Sequence, residues 1–176
     1  TLSNKSEEKD MADSIYKLIR KEHDMTRDDV CDKATDLDKP LQPERLERIE
    51  NGKLQIHPEE VMLLSEIYGE PTLCNNYCSK ECPIGQKYVP EIKVKNLAQI
   101  VLEMLSSLNS MKKSQERLIE ITADGIIDDD EIKDFVFIQK ELERISITVE
   151  TLQLWVEQMI AEDKIDKEKY EKLINE

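Results

Sequence analysis

Residues 42–53 read QPERLERIENGK; they follow LIRKEHDMTRDDVCDK at 18–33 and precede HPEEVMLLSEIYGEP at 57–71. Pro43 suits the first turn of a helix, where its missing N–H would have no intrahelical partner, and Gly52 suits the left-handed position just past a helix end. The helix between them is therefore short, about Pro43 to Asn51, with Leu46 and Ile49 facing inward and Glu44, Arg45, Glu47 and Arg48 outward. Upstream, Thr26 and Asp29 form a T-x-x-D capping box, in which hydroxyl and carboxylate each satisfy an orphan amide at the start of another helix. Ile15, Leu18 and Ile19, then Val30, and later Val61, Leu64 and Ile67 recur at helical spacing between polar or Pro-containing breaks. Short helices with short links predict a compact bundle over residues 10–82.

Further along, the stretch YCSKECPIGQKYVPEIK at 77–93 carries Pro83, Gly85 and Pro90, which places a linker at 83–92. Beyond it the period changes. Leu97, Val101, Met104, Leu108, Met111, Gln115 and Leu118 alternate in steps of four and three, an a/d seam along one long helix. Phe135, Ile138, Leu142, Ile145, Val149, Leu152, Val156 and Met159 repeat the stepping with no Pro or Gly inside, so a second long helix is expected. The short ADGII link at 123–127 makes the two antiparallel neighbours, an αα-hairpin within a domain spanning 93–176. A short last helix starts at Asp166 and presents Tyr170, Leu173 and Ile174. The expected fold is all-α. Leu102, Leu105, Leu154, Trp155 and Ile160 lie beside the hairpin seam, and their cover is either the last helix with the first domain or a second copy of the hairpin in a symmetric four-helix interface.

Composition agrees with long helices. The 176 residues include 39% apolar residues, four Gly and six Pro. No run of about 18 apolar residues spans a bilayer, and TLSNKSEEKDMADS at 1–14 lacks the apolar core of a secretion signal, so no membrane partner and a cytoplasmic location are expected. The net charge of −14 opposes nucleic-acid binding at long range. Residues 1–90 carry 13 basic and 19 acidic side chains and residues 91–176 carry 12 and 20, so neither half is a basic module. Contact with DNA therefore needs a local patch.

The three quoted segments resemble the helix-turn-helix module of the lambda-repressor-like (XRE) family of bacterial transcriptional regulators. That module has an Arg on the first helix, a Thr-capped second helix, a third helix ending in Ile-Glu-x-Gly and a Pro-led fourth. The resemblance covers residues 14 to about 70 and implies a buried ion pair between Arg20 and Glu50. It also implies that the third helix enters the major groove of double-stranded DNA, with Gln42, Glu44 and Arg45 at the base edges and Arg48 further along. Arg45 would make a bidentate contact to guanine, while Arg27 and Lys53 would hold the phosphate backbone. Two features depart from the family: Glu44 and Glu47 flank Arg45, and ATDLDKPLQ at 34–42 is roughly five residues longer than the usual link before the third helix.

Cys31, Cys74, Cys78 and Cys82 are thiols or metal ligands rather than disulfides in a reducing cytosol. Cys74, Cys78 and Cys82 recur every four residues, yet on a straight helix the outer two lie roughly 12 Å apart, too far to share one zinc. A site would need a broken segment, with Cys31 or His57 as the fourth ligand; redox sensing and small-hydrophobe packing are the alternatives. The run ADGIIDDDE at 123–131 matches the second half of a calcium loop, but Glu120 and Thr122 stand where ligands belong, and Gly125 with Asp128 and Glu131 explains it as hairpin-turn chemistry. His23 and His57 belong to no nucleophile–base arrangement and no phosphate loop is present, so no enzyme and no cofactor are expected. Two functions fit these features. One is a dimeric, sequence-specific DNA-binding regulator; the other is a protein-interaction adaptor on the same scaffold that no longer binds DNA tightly.

Overall fold

The computed structural model describes residues 13–123 and 125–176; residues 10–12 at the expected domain start and Asp124 of the calcium-like run lie outside them. Among the described residues the chain is all-helical, and no helix is long and apolar enough to cross a membrane. It divides into two compact units, ending and beginning at Glu70 and Pro71.

The first unit holds α1 (Ile15–Glu22), α2 (Arg27–Asp36), α3 (Pro43–Glu50) and α4 (Pro58–Tyr68). Local chemistry sets each boundary. The Ser14 hydroxyl accepts from the Lys17 amide at 3.3 Å. Thr26 and Asp29 form a reciprocal box, with the Asp29 amide donating to Thr26 Oγ1 at 3.1 Å and the Thr26 amide to Asp29 Oδ2 at 2.7 Å. Pro43 and Pro58 occupy first turns, and Gly52 and Gly69 take the left-handed backbone just after α3 and α4. Val30, Ala34, Leu46, Val61 and Leu64 are almost fully buried where α2 packs on α3 and α4, and α1 adds Tyr16 and Ile19. Leu18, expected inward, is half-exposed, because Tyr16 takes the inward position on its short helix. The link between α2 and α3 is closed rather than slack. Asp38 adopts a left-handed φ of 56°, the Lys39 amide donates to the Ala34 carbonyl at 2.9 Å, and Leu41 is buried.

The second unit holds α5 (Thr72–Lys80), α6 (Gly85–Tyr88), α7 (Leu97–Ile121), α8 (Ile132–Ala161) and α9 (Lys167–Ile174). The 83–92 stretch expected as a linker lies within this unit. Gly85 runs so close to α5 that a Cβ there would meet the Cys78 carbonyl oxygen at 2.0 Å. The Asn75 side chain also clamps the chain beyond α6, donating to the Pro90 carbonyl at 3.0 Å and accepting from the Ile92 amide at 2.9 Å. Pro and Gly in this segment mark close packing as much as a break.

Helices α7 and α8 pack along each other as a pair, with Arg117 Nε bonded to Asp134 Oδ2 at 2.6 Å near the connecting turn. The seam is rotated from the expected one. Met104, Met111 and Leu118 lie toward it, but their companions are Ile100, Ser107, Ser114 and Ile121, whereas Leu97, Val101 and Leu108 are exposed. On α8 the buried residues are Ile138, Glu141, Thr148, Thr151 and Leu154, whereas Leu142 and Val149 are exposed. Thr148 and Thr151 donate back to the Arg144 and Ile147 carbonyls at 2.8 and 2.6 Å, which satisfies their hydroxyls inside the seam. Glu141 is only partly satisfied. Its Oε1 accepts from the exposed Arg144 at 3.0 Å, but its buried Oε2 has no partner among the described residues. Helix α9 is capped by Asp166, whose Oδ1 accepts from the Lys169 amide at 3.0 Å, and it buries none of its residues.

An orphaned, buried carboxylate oxygen costs stability that an apolar side chain of similar size does not. Glu141→Leu is therefore expected to stabilise the protein by about 1–3 kcal/mol, seen as a higher urea midpoint with an unchanged slope. A lower midpoint would contradict the orphaned state of Oε2.

Candidate nucleic-acid interface

Helix α3 is fastened at both ends by arginine–carboxylate forks. At its C-terminus, Glu50 receives Arg20 of α1 through Nε–Oε1 at 2.5 Å and Nη2–Oε2 at 2.9 Å. The remaining Arg20 donor reaches the Met25 carbonyl at 2.8 Å, so the guanidinium also ties down the turn before α2. Arg27 of α2 brings a second cation, its Nε 2.8 Å from Glu50 Oε2 and its Nη1 3.6 Å from Glu47. Burial pushes the Glu50 carboxyl up, but the hydrogen bonds from Arg20 and Arg27 outweigh it and hold the group below the ordinary glutamate range. The Arg20 guanidinium is in turn held in its charged form by Glu50.

At the other end, Arg45 grips Glu60 of α4. Its Nε bonds to Oε1, and its Nη2 lies 2.9 Å from Oε2. Glu60 is positioned for this by its own helix start, since Oε2 also accepts from the His57 amide at 2.9 Å. Burial raises the Glu60 carboxyl and Arg45 with the His57 amide lowers it further, so the net shift is downward.

The residues singled out from sequence therefore fall into two groups. Arg20 and Glu50 meet as a bidentate, buried pair, and Arg27 joins them instead of standing free. Arg45 is engaged by Glu60. Gln42, Glu44, Arg48 and Lys53 are exposed on and beside α3, with no side-chain partner among the described residues. The sequence reading missed the role of Glu60, although its place three residues after His57 at a Pro-led helix start was the available signal. It also missed Tyr68, a buried phenol whose hydroxyl has no partner among the described residues and whose ring stacks on His23 at 6.0 Å. Burial, with the Glu50 carboxylate adding to it, pushes the Tyr68 hydroxyl well above its ordinary range.

Cys31 is buried in the first unit, and Cys74, Cys78 and Cys82 are half-buried in the second; all are free thiols. Among the described residues no group of three or more His, Cys, Asp or Glu side chains comes together to hold a metal. Burial pushes the Cys31 thiol up, reinforced by Asp28, Asp32 and Glu44, and burial does the same to Cys78. Such thiols stay protonated and poorly nucleophilic.

No protein-family model, curated protein or solved structure matches the chain.

Because Glu50 is more acidic folded than unfolded, its share of stability is complete above the ordinary glutamate range and is lost as pH falls through its lowered folded value. Glu50→Ala is expected to cost about 3–5 kcal/mol at neutral pH and to flatten that acid limb in chemical denaturation. Tyr68→Phe removes an orphaned hydroxyl from the same neighbourhood and should leave stability unchanged or slightly raised; a loss above about 1 kcal/mol would mean the hydroxyl has a partner.

Proposed function

We propose that the protein is a cytoplasmic, sequence-specific DNA-binding transcriptional regulator of the lambda-repressor-like (XRE) helix-turn-helix type, acting as a dimer and without enzymatic activity. The observation that carries this reading is the double fastening of α3. An eight-residue helix, tied by Glu50 to α1 and by Arg45 to α4, holds Gln42, Glu44, Arg48 and Lys53 outward on a rigid mount. Rigid display of a few polar side chains on one short helix is what base-edge reading in a major groove requires. On this reading Gln42 and Arg48 are the base-contacting donors, Glu44 accepts from a cytosine amino group, and Lys53 meets phosphate. Arg45 acts through Glu60 as a positioning residue, and Arg27 holds Glu50 while its half-exposed side chain lies toward Glu47.

One observation favours the second reading, an interaction adaptor on the same scaffold. Of the arginines on α2 and α3, Arg27 and Arg45 are neutralised internally, while Glu44 and Glu47 stand exposed beside Arg48. On a chain of net charge −14, that leaves Arg48 and Lys53 as the main local cations near the helix.

The two readings separate by retention of the full chain on random-sequence duplex at about 50 mM salt, where even nonspecific binders hold on. Retention is expected, and its absence would reject the regulator. Selected sequences should then show that Arg48→Ala relaxes preference at one base pair at a cost of about 1–3 kcal/mol, whereas Lys53→Ala weakens all sequences alike and lowers the salt slope by about one.

A further inference from the structure

The hairpin of α7 and α8 carries one polar and one apolar flank. The polar flank is a groove of about 380 Å³ lined by Glu103, Ser106 and Ser107 from α7 and by Arg144, Ile147 and Thr148 from α8, with Lys95 at its edge. Since both helices contribute to that groove, their other flanks also share one side. At 100° per residue, Leu97, Val101, Leu105 and Leu108 of α7 and Leu142 and Val149 of α8 lie on the far side of the buried stripe from the groove. All six are between about two fifths and just over half exposed, with Leu105 at 53% and Leu108 at 49%. These six positions are apolar, and Lys112, at the same helical angle, interrupts the stripe between Leu108 and Ile119.

We infer that this flank is the contact surface for a second copy of the same hairpin, the two pairs closing into a four-helix bundle about a two-fold axis. Three observations select a second copy. First, the stripe is long: on α7 it runs on to the exposed Ile119, roughly 33 Å from Leu97 at 1.5 Å per residue. Among the described residues, no helix other than α7 and α8 exceeds the 11 residues of α4, and α9, at eight residues, buries nothing. Among the helices described in this chain, another α7–α8 pair is what matches the length. Second, the exposures along the stripe amount to roughly 600 Å² per copy, the upper end of what a monomer ordinarily leaves in one patch and about three quarters of the ~800 Å² that each partner covers in a standard interface. Third, each helix has its buried residues offset to one side of its apolar stripe. In an isolated pair this leaves Leu and Val in water while Ser107, Glu141 and Thr148 sit inside; in a four-helix bundle the core direction turns toward the other pair and covers the whole stripe.

Light scattering on the full chain without DNA tests this surface separately from the DNA reading. The expected mass is twice the 20.5 kDa of one chain at about 100 μM, falling to one chain in Leu105→Glu and in Leu142→Glu. Ser106→Glu, the same added charge on the groove side, should stay dimeric. Far-UV circular dichroism checks that each variant keeps its helices, and the milder Leu105→Gln serves if Leu105→Glu does not fold. A monomeric wild type overturns the inference, and so does a dimer that survives both folded Glu variants.

Discussion

The fork between Arg20 and Glu50 is the constraint on which the first unit is built. The two residues are 30 positions apart, on α1 and at the last turn of α3, and the carboxylate is fully enclosed. A buried carboxylate is tolerable only when its lone pairs are filled by cations, and here Arg20 and Arg27 fill them from two different helices. Tyr68 of α4 lies close enough for the same charge to shift its hydroxyl. All four helices of the unit therefore meet around one negative charge. Apolar burial of Val30, Leu46 and Leu64 supplies the general driving force for association. The fork adds directionality, because a guanidinium donates two parallel N–H bonds to a carboxylate lying in its plane.

The same physics at the other end of α3 decides which side chains remain for a ligand. Once Arg45 is held by Glu60, it no longer projects freely, and α3 is left with Gln42, Glu44, Glu47 and Arg48 outward. The helix trades a mobile cation for a fixed orientation. A short helix with few apolar residues has little propensity of its own to stay formed, so anchoring at both termini matters more here than in a longer helix. The cost is a reduced positive field in a chain that is already acidic.

Local rules made much of this legible. The Thr26–Asp29 box, Pro43 and Gly52 each act over three or four residues, and their outcome depends on little else. The Arg45–Glu60 fork was hidden because it joins residues 15 positions apart whose separate roles, groove-facing cation and helix-start acid, were each sensible alone. The stretch 83–92, read as a linker, lies inside the second unit for a related reason. Gly85 is there to let α6 lie against the α5 backbone, and only the packing distinguishes a close-approach glycine from a flexible one. The rotated seam has a different origin. The apolar stripe on α7 is wider than a two-helix seam, so counting steps of four and three selects its middle, whereas one neighbouring helix can cover only its edge.

Net charge bears on both units. Residues 91–176 carry 20 acids against 12 bases, so two hairpins approaching through their apolar flanks meet net repulsion from the residues around the rim. Salt shortens the reach of that repulsion to about 8–10 Å at physiological strength. Association with DNA runs the other way, because each phosphate contact releases counterions and weakens as salt rises. On the proposed reading as a dimeric DNA-binding regulator, dimerisation and DNA affinity would therefore respond to salt with opposite signs. The net dependence of duplex binding would then be shallower than the number of phosphate contacts alone implies wherever the dimer is the binding species and is only partly formed.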